Sequence, residues 1–401
     1  MRLMYMILPL LFFCGILCAG DARLKQEERR LMRAGFPADY AEKLARLQQR
    51  YKKWDFRVLH VSRMKPEYTW DHIMHMETDE NPRRSLISGS GDYKAYFHSA
   101  DTKLYDAGCR RASRETVAYF MDPRNFLNSR DIFQFLDLSS VDGIDKKTVN
   151  AALRGTFMEK GKLENNLSYG EYLIRVGRQF KINPVFLASR LRQEQGLQGT
   201  PLVSGKCGSL LARYYAENVQ MEGRFNVQTP GDGYSVTELK KLDGLYNYFN
   251  IEAAGTGRFR IYLAGMREAL KGTPGMTEKW KSPRWDTRWK AIYGGASKVA
   301  ALYIGRHQNT LYLQKWNVDP RSRNAKGNSL NFWGQYMQNV GAAFSEGRNM
   351  QRSFADLKML DLPFTFLIPV YSNMPENPSA DPAEGTCAFY RQHEDRKEKQ
   401  K

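Results

Sequence analysis

Cysteine and histidine are scarce: the chain of 401 residues has 5 of one and 6 of the other. Cys14 and Cys18 fall near the start, and Cys109, Cys207 and Cys387 are widely separated and odd in number. This usage excludes a zinc signature and a disulfide framework, although one bridge can form in an oxidising compartment. His72, His75 and Glu77 are close in sequence, but no third pattern joins them into a metal site, and they read as an exposed helix face. The chain has no internal repeat. A mean hydropathy of −0.59 excludes a polytopic membrane protein. Acidic residues are outnumbered, 43 against 61 Lys and Arg, for a formal net charge of +18. What is present is a core: 42% hydrophobic and 12% aromatic residues are too many for a disordered chain. A folded and strongly basic chain suits a polyanionic partner, whether nucleic acid, an anionic membrane or an acidic polysaccharide.

The first residues narrow that choice. Arg2 precedes an apolar run from Met4 to Leu17, and Cys18, Ala19 and Gly20 follow before charge begins at Asp21. A positive start, an apolar core and a small-residue end predict a signal peptide over 1–20, cleaved after Gly20 or Ala22. Bulky residues before Cys14 and Cys18 make them poor lipid-attachment cysteines. The alternative is an uncleaved anchor, because the run is only slightly shorter than a spanning helix; only then would a membrane be a partner. In both cases the remainder lies outside the cytoplasm. With no zinc finger, helix-turn-helix or aromatic RNA-binding signature, nucleic acid drops out as a partner.

Along the mature chain, Arg23–Arg33 reads as a charged helical lead-in. A helix starts at Pro37, with Tyr40, Leu44, Leu47 and Tyr51 on one face, and a strand covers Phe56–Val61. A second helix over Pro66–Met76 and a Tyr-rich stretch, Tyr93–Phe97, complete a small α+β module over 21–112. From Thr116 the pattern is mainly helical. Ser168 and Glu171 form a capping box, and Asn183-Pro184 opens a helix that stops at Gly196. Residues 197–245 look irregular or β-like, with helices returning at Ile261–Leu270, Trp289–Ile304 and Phe332–Phe344. A packing segment, 351–376, precedes a mobile tail, 377–401. The expected class is α+β, mainly α.

The chemistry centres on Glu194. Leu187, Leu191 and Glu194 follow at i, i+4 and i+7, so the carboxylate sits on the apolar stripe at the helix end. A carboxyl there must be paired or kept protonated. A protonated Glu facing a cleft is what a glycosidase uses to protonate a departing sugar oxygen. The competing reading is a plain Arg190–Glu194 salt bridge, in the weaker orientation for a helical pair.

The run Leu187–Gly196, followed by Tyr246-Asn-Tyr-Phe-Asn-Ile251, resembles the catalytic domain of bacterial endo-β-N-acetylglucosaminidases, the glucosaminidase autolysins of glycoside hydrolase family 73. The resemblance extends to Ala118–Leu127 and Tyr303–Tyr312, and to Phe36–Tyr40 and Lys53–Phe56 in the preceding module. It implies a lysozyme-like catalytic domain over 113–350 with a small β lobe, and hydrolysis of the bond after N-acetylglucosamine in peptidoglycan. The family's acid matches Glu194. Tyr246, Tyr248 and Asn250 match the cleft floor that holds the sugar, and Tyr303 and Tyr312 are alternative matches to a late active-site tyrosine. The segment between Glu194 and Tyr246 is longer than expected of the family. A second acid could be Glu217, Glu222, Asp232, Glu238 or Asp243, so the inverting or retaining outcome stays open. The resemblance implies a secreted, wall-associated enzyme with no metal or cofactor, acting on glycan strands and held by anionic wall polymers. A lytic transglycosylase or muramidase on the same fold, or a non-catalytic wall-binding protein, is the alternative.

Overall fold

The computed structural model describes residues 21–105, 108–139, 143–216, 234–255, 257–335, 338–356 and 358–383. The expected signal peptide lies outside them. In chain order the elements are α1 (21–33), α2 (Ala38–Arg50), β1 (Asp55–His60), α3 (Val61–Met64), α4 (Trp70–Thr78), β2 (Leu86–Ser88), β3 (Cys109–Arg111) and α5 (Arg114–Met121). Then come α6 (Lys146–Ala152), α7 (Tyr169–Phe180), α8 (Pro184–Gln195), α9 (Cys207–Ala216), α10 (Val236–Lys240), α11 (Arg258–Lys271), α12 (Thr277–Trp280) and α13 (Arg288–Leu302). The described chain closes with α14 (Leu311–Trp316), α15 (Ala342–Asp356) and β4 (Thr365–Val370). The class is α+β, mainly α.

Two compact units result, one formed by residues up to Asp137 together with those from Arg306, the other by Leu138–Gly305. The expected boundaries at 112 and 350 are therefore not where the units part. The reason is a long-range pairing: β1 runs parallel to β4, with Asp55 opposite Thr365 and His60 opposite Val370. Around this pair Trp54 packs on Phe133 (5.7 Å between ring centroids) and Phe366 (4.9 Å), and its indole N–H donates to the Leu360 carbonyl. β2 and β3 form an antiparallel pair in the same unit. In the Ala118–Leu127 run, the buried Arg124 and Asp122 pair at 2.8 Å, and Arg124 also donates to the carbonyls of Pro375, Glu376 and Asn377. Ser379 N–H donates to Asp122, and Tyr96 hydroxyl to Asp381. Residues 377–383 are thus fastened down rather than a mobile tail; 384–401 lie outside the described residues.

A cavity of about 550 Å³ in this unit is lined by Arg23, Arg30, Arg33 and Lys52, with Glu27 and Trp54. None of the residues matched to the sugar cleft lines it. His72, His75 and Glu77 go to different partners: His72 stacks on Tyr68, His75 meets Asp79 and Glu80, and the buried Glu77 accepts from Ser85 and Gln335. Cys109 and Cys207 are free thiols; Cys14, Cys18 and Cys387 lie outside the described residues.

The second unit has no strand among its described residues; of the stretch expected to be irregular or β-like, 197–216 and 234–245 are helical or irregular, and 217–233 lie outside the described residues. α9 was hidden by Gly205 and Gly208, which look like turn residues. Gly208 instead allows close packing: a Cβ there would lie 2.5 Å from the Leu239 carbonyl oxygen and 2.6 Å from the Asp243 nitrogen. The helix expected at Phe332–Phe344 also moves, because Phe332 (φ 61°) and Gly334 (φ 59°) are left-handed and helix resumes only at Ala342. Two expected starts are present in full. Ser168 and Glu171 make the capping box of α7, and Asn183 accepts from Val185 and Phe186 N–H at the head of α8, with Pro184 in its first turn.

Candidate active site

Glu194 lies in the last turn of α8, which ends at Gly196 (φ 64°). Leu187 and Leu191 on its stripe are fully buried, whereas the Glu194 side chain is 19% exposed. The stripe therefore carries a carboxyl to the edge of solvent. Its partner comes from the turn after Tyr246. Asn250, left-handed at φ 50°, donates from Nδ2 to Glu194 Oε2 (2.9 Å) and to the Glu194 carbonyl (3.1 Å).

The orientation of that amide is set by Gln195. Gln195 Nε2 donates to Asn250 Oδ1 (2.9 Å) and to the Tyr248 carbonyl (2.9 Å), while its Oε1 accepts from Thr200 Oγ1 (2.6 Å). With Oδ1 occupied by a donor, Asn250 must present its NH₂ to Glu194. The turn itself is clamped by the buried Asn247, which donates to the carbonyls of Ile251 (2.8 Å) and Gly265 (3.0 Å) and accepts from Ile251 N–H. Gly294 and Gly295 of α13 leave room for Trp285 and Phe249, and the Trp285 carbonyl accepts from Tyr246 N–H. Gln195 and Asn247 were not anticipated as site residues. Both stand inside the matched runs, but nothing in their spacing marks them.

Arg190 also belongs to this site. Its guanidinium lies over Phe186 (5.5 Å) and 3.9 Å from Glu194 Oε1. The salt bridge expected as the competing reading exists at the outer limit of ion-pair distance, in addition to the shorter amide contact.

The tyrosines divide. Tyr248 is fully buried, with its hydroxyl 2.6 Å from that of Tyr169, and burial pushes the phenol far above its ordinary range. Its backbone carbonyl, rather than its ring, serves the site. Tyr246 is half-buried, its hydroxyl against Gly205. Tyr303 follows α13 as its half-buried end residue. Tyr312 belongs to the other unit, where it is fully buried and its hydroxyl donates to the Met121 carbonyl and meets Tyr371. Next to Tyr169, Arg288 bonds Glu164 at 2.8 Å; burial opposes ionisation of that carboxyl, but the guanidinium holds it below the usual Glu range.

Of the expected second acids, Glu238 pairs with Lys241 on the surface, and Asp243 accepts from the Ser209 N–H and hydroxyl at the first turn of α9. Glu217, Glu222 and Asp232 lie outside the described residues. No group of His, Cys, Asp and Glu among the described residues is placed to hold a metal.

This arrangement presents one carboxyl at a solvent edge, with a fixed amide donor on one oxygen and a cation beyond the other. Such a group can give or take a proton. The sequence is similar to staphylococcal autolysins. It is 25% identical over 207 residues to the bifunctional autolysin of Staphylococcus epidermidis and 27% identical over 207 residues to that of Staphylococcus aureus. The matched stretch is 51% of this chain but only 12% and 13% of those relatives. No family model matches. Among solved structures, S. aureus glucosaminidase B aligns with 80% of this chain and 94% of its own, at a TM-score of 0.47 and 21% identity.

Proposed function

We propose that this chain is an exported peptidoglycan hydrolase that cleaves the glycosidic bond after N-acetylglucosamine, with Glu194 as general acid. The observation that carries the reading is the clamp on Glu194: Asn250, oriented by Gln195, fixes one carboxyl oxygen at the solvent edge of α8. The similarity to autolysins points to the cell wall as the place of action.

In this mechanism protonated Glu194 donates to the glycosidic oxygen as the C–O bond breaks, and water or the sugar's own acetamido oxygen takes the other face of the anomeric carbon. Arg190 then faces the carboxylate that remains. Asn250 holds Glu194, and the half-buried Tyr246 and Tyr303 are the tyrosines left with surface to offer a sugar. Glu238 and Asp243 are engaged elsewhere, so a second carboxylate is sought among Glu217, Glu222 and Asp232.

Mass spectrometry of digested, purified peptidoglycan tests the bond assignment. Fragments ending in reducing N-acetylglucosamine are expected. Reducing N-acetylmuramic acid ends would make the enzyme a muramidase, and anhydro ends a lytic transglycosylase. Binding without any release would leave a wall-binding protein.

A further inference from the structure

Seven bulky apolar side chains of the described residues are well exposed, and Trp333, at 60%, is the one aromatic among them. The turn that presents it is tightly held. Phe332 before it is buried although its backbone is left-handed (φ 61°), a conformation that bulky residues adopt only where the surroundings over-determine it. The buried Asn317 supplies that constraint, donating to the Leu330 carbonyl (2.6 Å) and the Trp333 carbonyl (2.5 Å). Gln308, also buried, donates to the Gly334 carbonyl (3.1 Å), and Asn331 ties Asn317 and Asp319 together from behind. The effect is to bury the Phe332 ring and turn the next one outward.

One face of the indole is covered by the Arg84 guanidinium, 4.7 Å from the ring centroid. Arg84 is 7% exposed; its Nη1 donates to the Met76 carbonyl, and its Nε has no partner among the described residues. Behind it the buried Lys315 donates to the Arg84 carbonyl (3.1 Å), and Glu77 lies in the same charged cluster. Even with Arg84 against it the residue stays 60% exposed, and a Cβ at the neighbouring Gly334 would meet nothing within 4 Å.

A protein partner would require a broad, contiguous contact surface. A single exposed ring, held in place by its turn and by Arg84, instead suits stacking on the C–H face of a pyranose. We propose that Trp333 is a glycan-binding residue, stacking on an N-acetylated sugar ring, and that Arg84 positions the indole for it. The choice of sugar rests on the function proposed above.

The test is calorimetric titration of a soluble N-acetylglucosamine hexamer into the full chain carrying Glu194→Gln, so that ligand is not consumed. In that background Trp333→Ala and Trp333→Leu are expected to weaken binding by about tenfold, and Trp333→Phe to retain most of it. Equal affinity of the alanine variant and its background would overturn the proposal, as would a leucine variant that binds like the phenylalanine one, or no binding of the hexamer by the background. Failure of the catalytic reading shows elsewhere, as undiminished hydrolysis by Glu194→Gln.

Discussion

At the scale of single residues, the site depends on which atoms of a side chain are already engaged. Tyr248 stands in the run matched to the cleft floor, yet its ring is buried and its hydroxyl bonds Tyr169. Tyr248→Phe is therefore expected to cost about 1 kcal/mol of stability, the net worth of one hydrogen bond, and to leave activity within about twofold, an effect far smaller than loss of a general acid. Thermal unfolding and glycan release measure the two separately. A large loss of activity without loss of stability would place Tyr248 on the sugar. Glu194 drew attention as an ionisable group on an apolar stripe, and Asn250 through its matched run; the structure brings the two into contact at 2.9 Å. Gln195 was not legible. A glutamine one residue after the acid has no periodic signature, and its work depends on a turn about fifty residues away.

At the scale of elements, capping chemistry was the most legible feature, because its partners are three residues apart. In α7 the exposed Glu171 is held by Lys146, and then by Ser168, at a pKa of about 2 against an ordinary 4.5. A depressed folded pKa contributes stability above the unfolded value that is lost as pH falls toward the folded one. Glu171→Gln should therefore flatten the pH dependence of the unfolding midpoint between about pH 4.5 and 2, and acid titrations followed by circular dichroism would show it. An unchanged slope would mean that Glu171 has no differential interaction in the folded state. Glycine was the least legible residue. Gly208 stands in a stretch that looks irregular or β-like in sequence but serves a helix contact, which only the facing backbone of Leu239 and Asp243 reveals.

At the scale of the whole molecule, the misplaced boundaries share one cause. β1 and β4 are each ordinary strands, and no local signal announces that they pair across most of the chain. Ending the chain after residue 350 removes β4 and uncovers Trp54, Phe56 and Phe133. Loss of near-ultraviolet dichroism and of a cooperative unfolding transition is expected; a chain that still unfolded cooperatively would show the pairing to be dispensable. The net charge of +18 has a local concentration at the cavity lined by Arg23, Arg30, Arg33 and Lys52. The proposed attachment to anionic wall polymers should accordingly weaken with salt, over a screening length of about 10 Å at 0.1 M, and salt-insensitive binding to isolated walls would contradict it. The central claim remains that one carboxyl performs the chemistry. The most direct measurement compares parent and Glu194→Gln for release of reducing sugar ends from purified peptidoglycan, with thermal unfolding of both. A loss of about 10²–10⁴-fold at near-equal stability is the expected result, and undiminished release by the folded variant would contradict it.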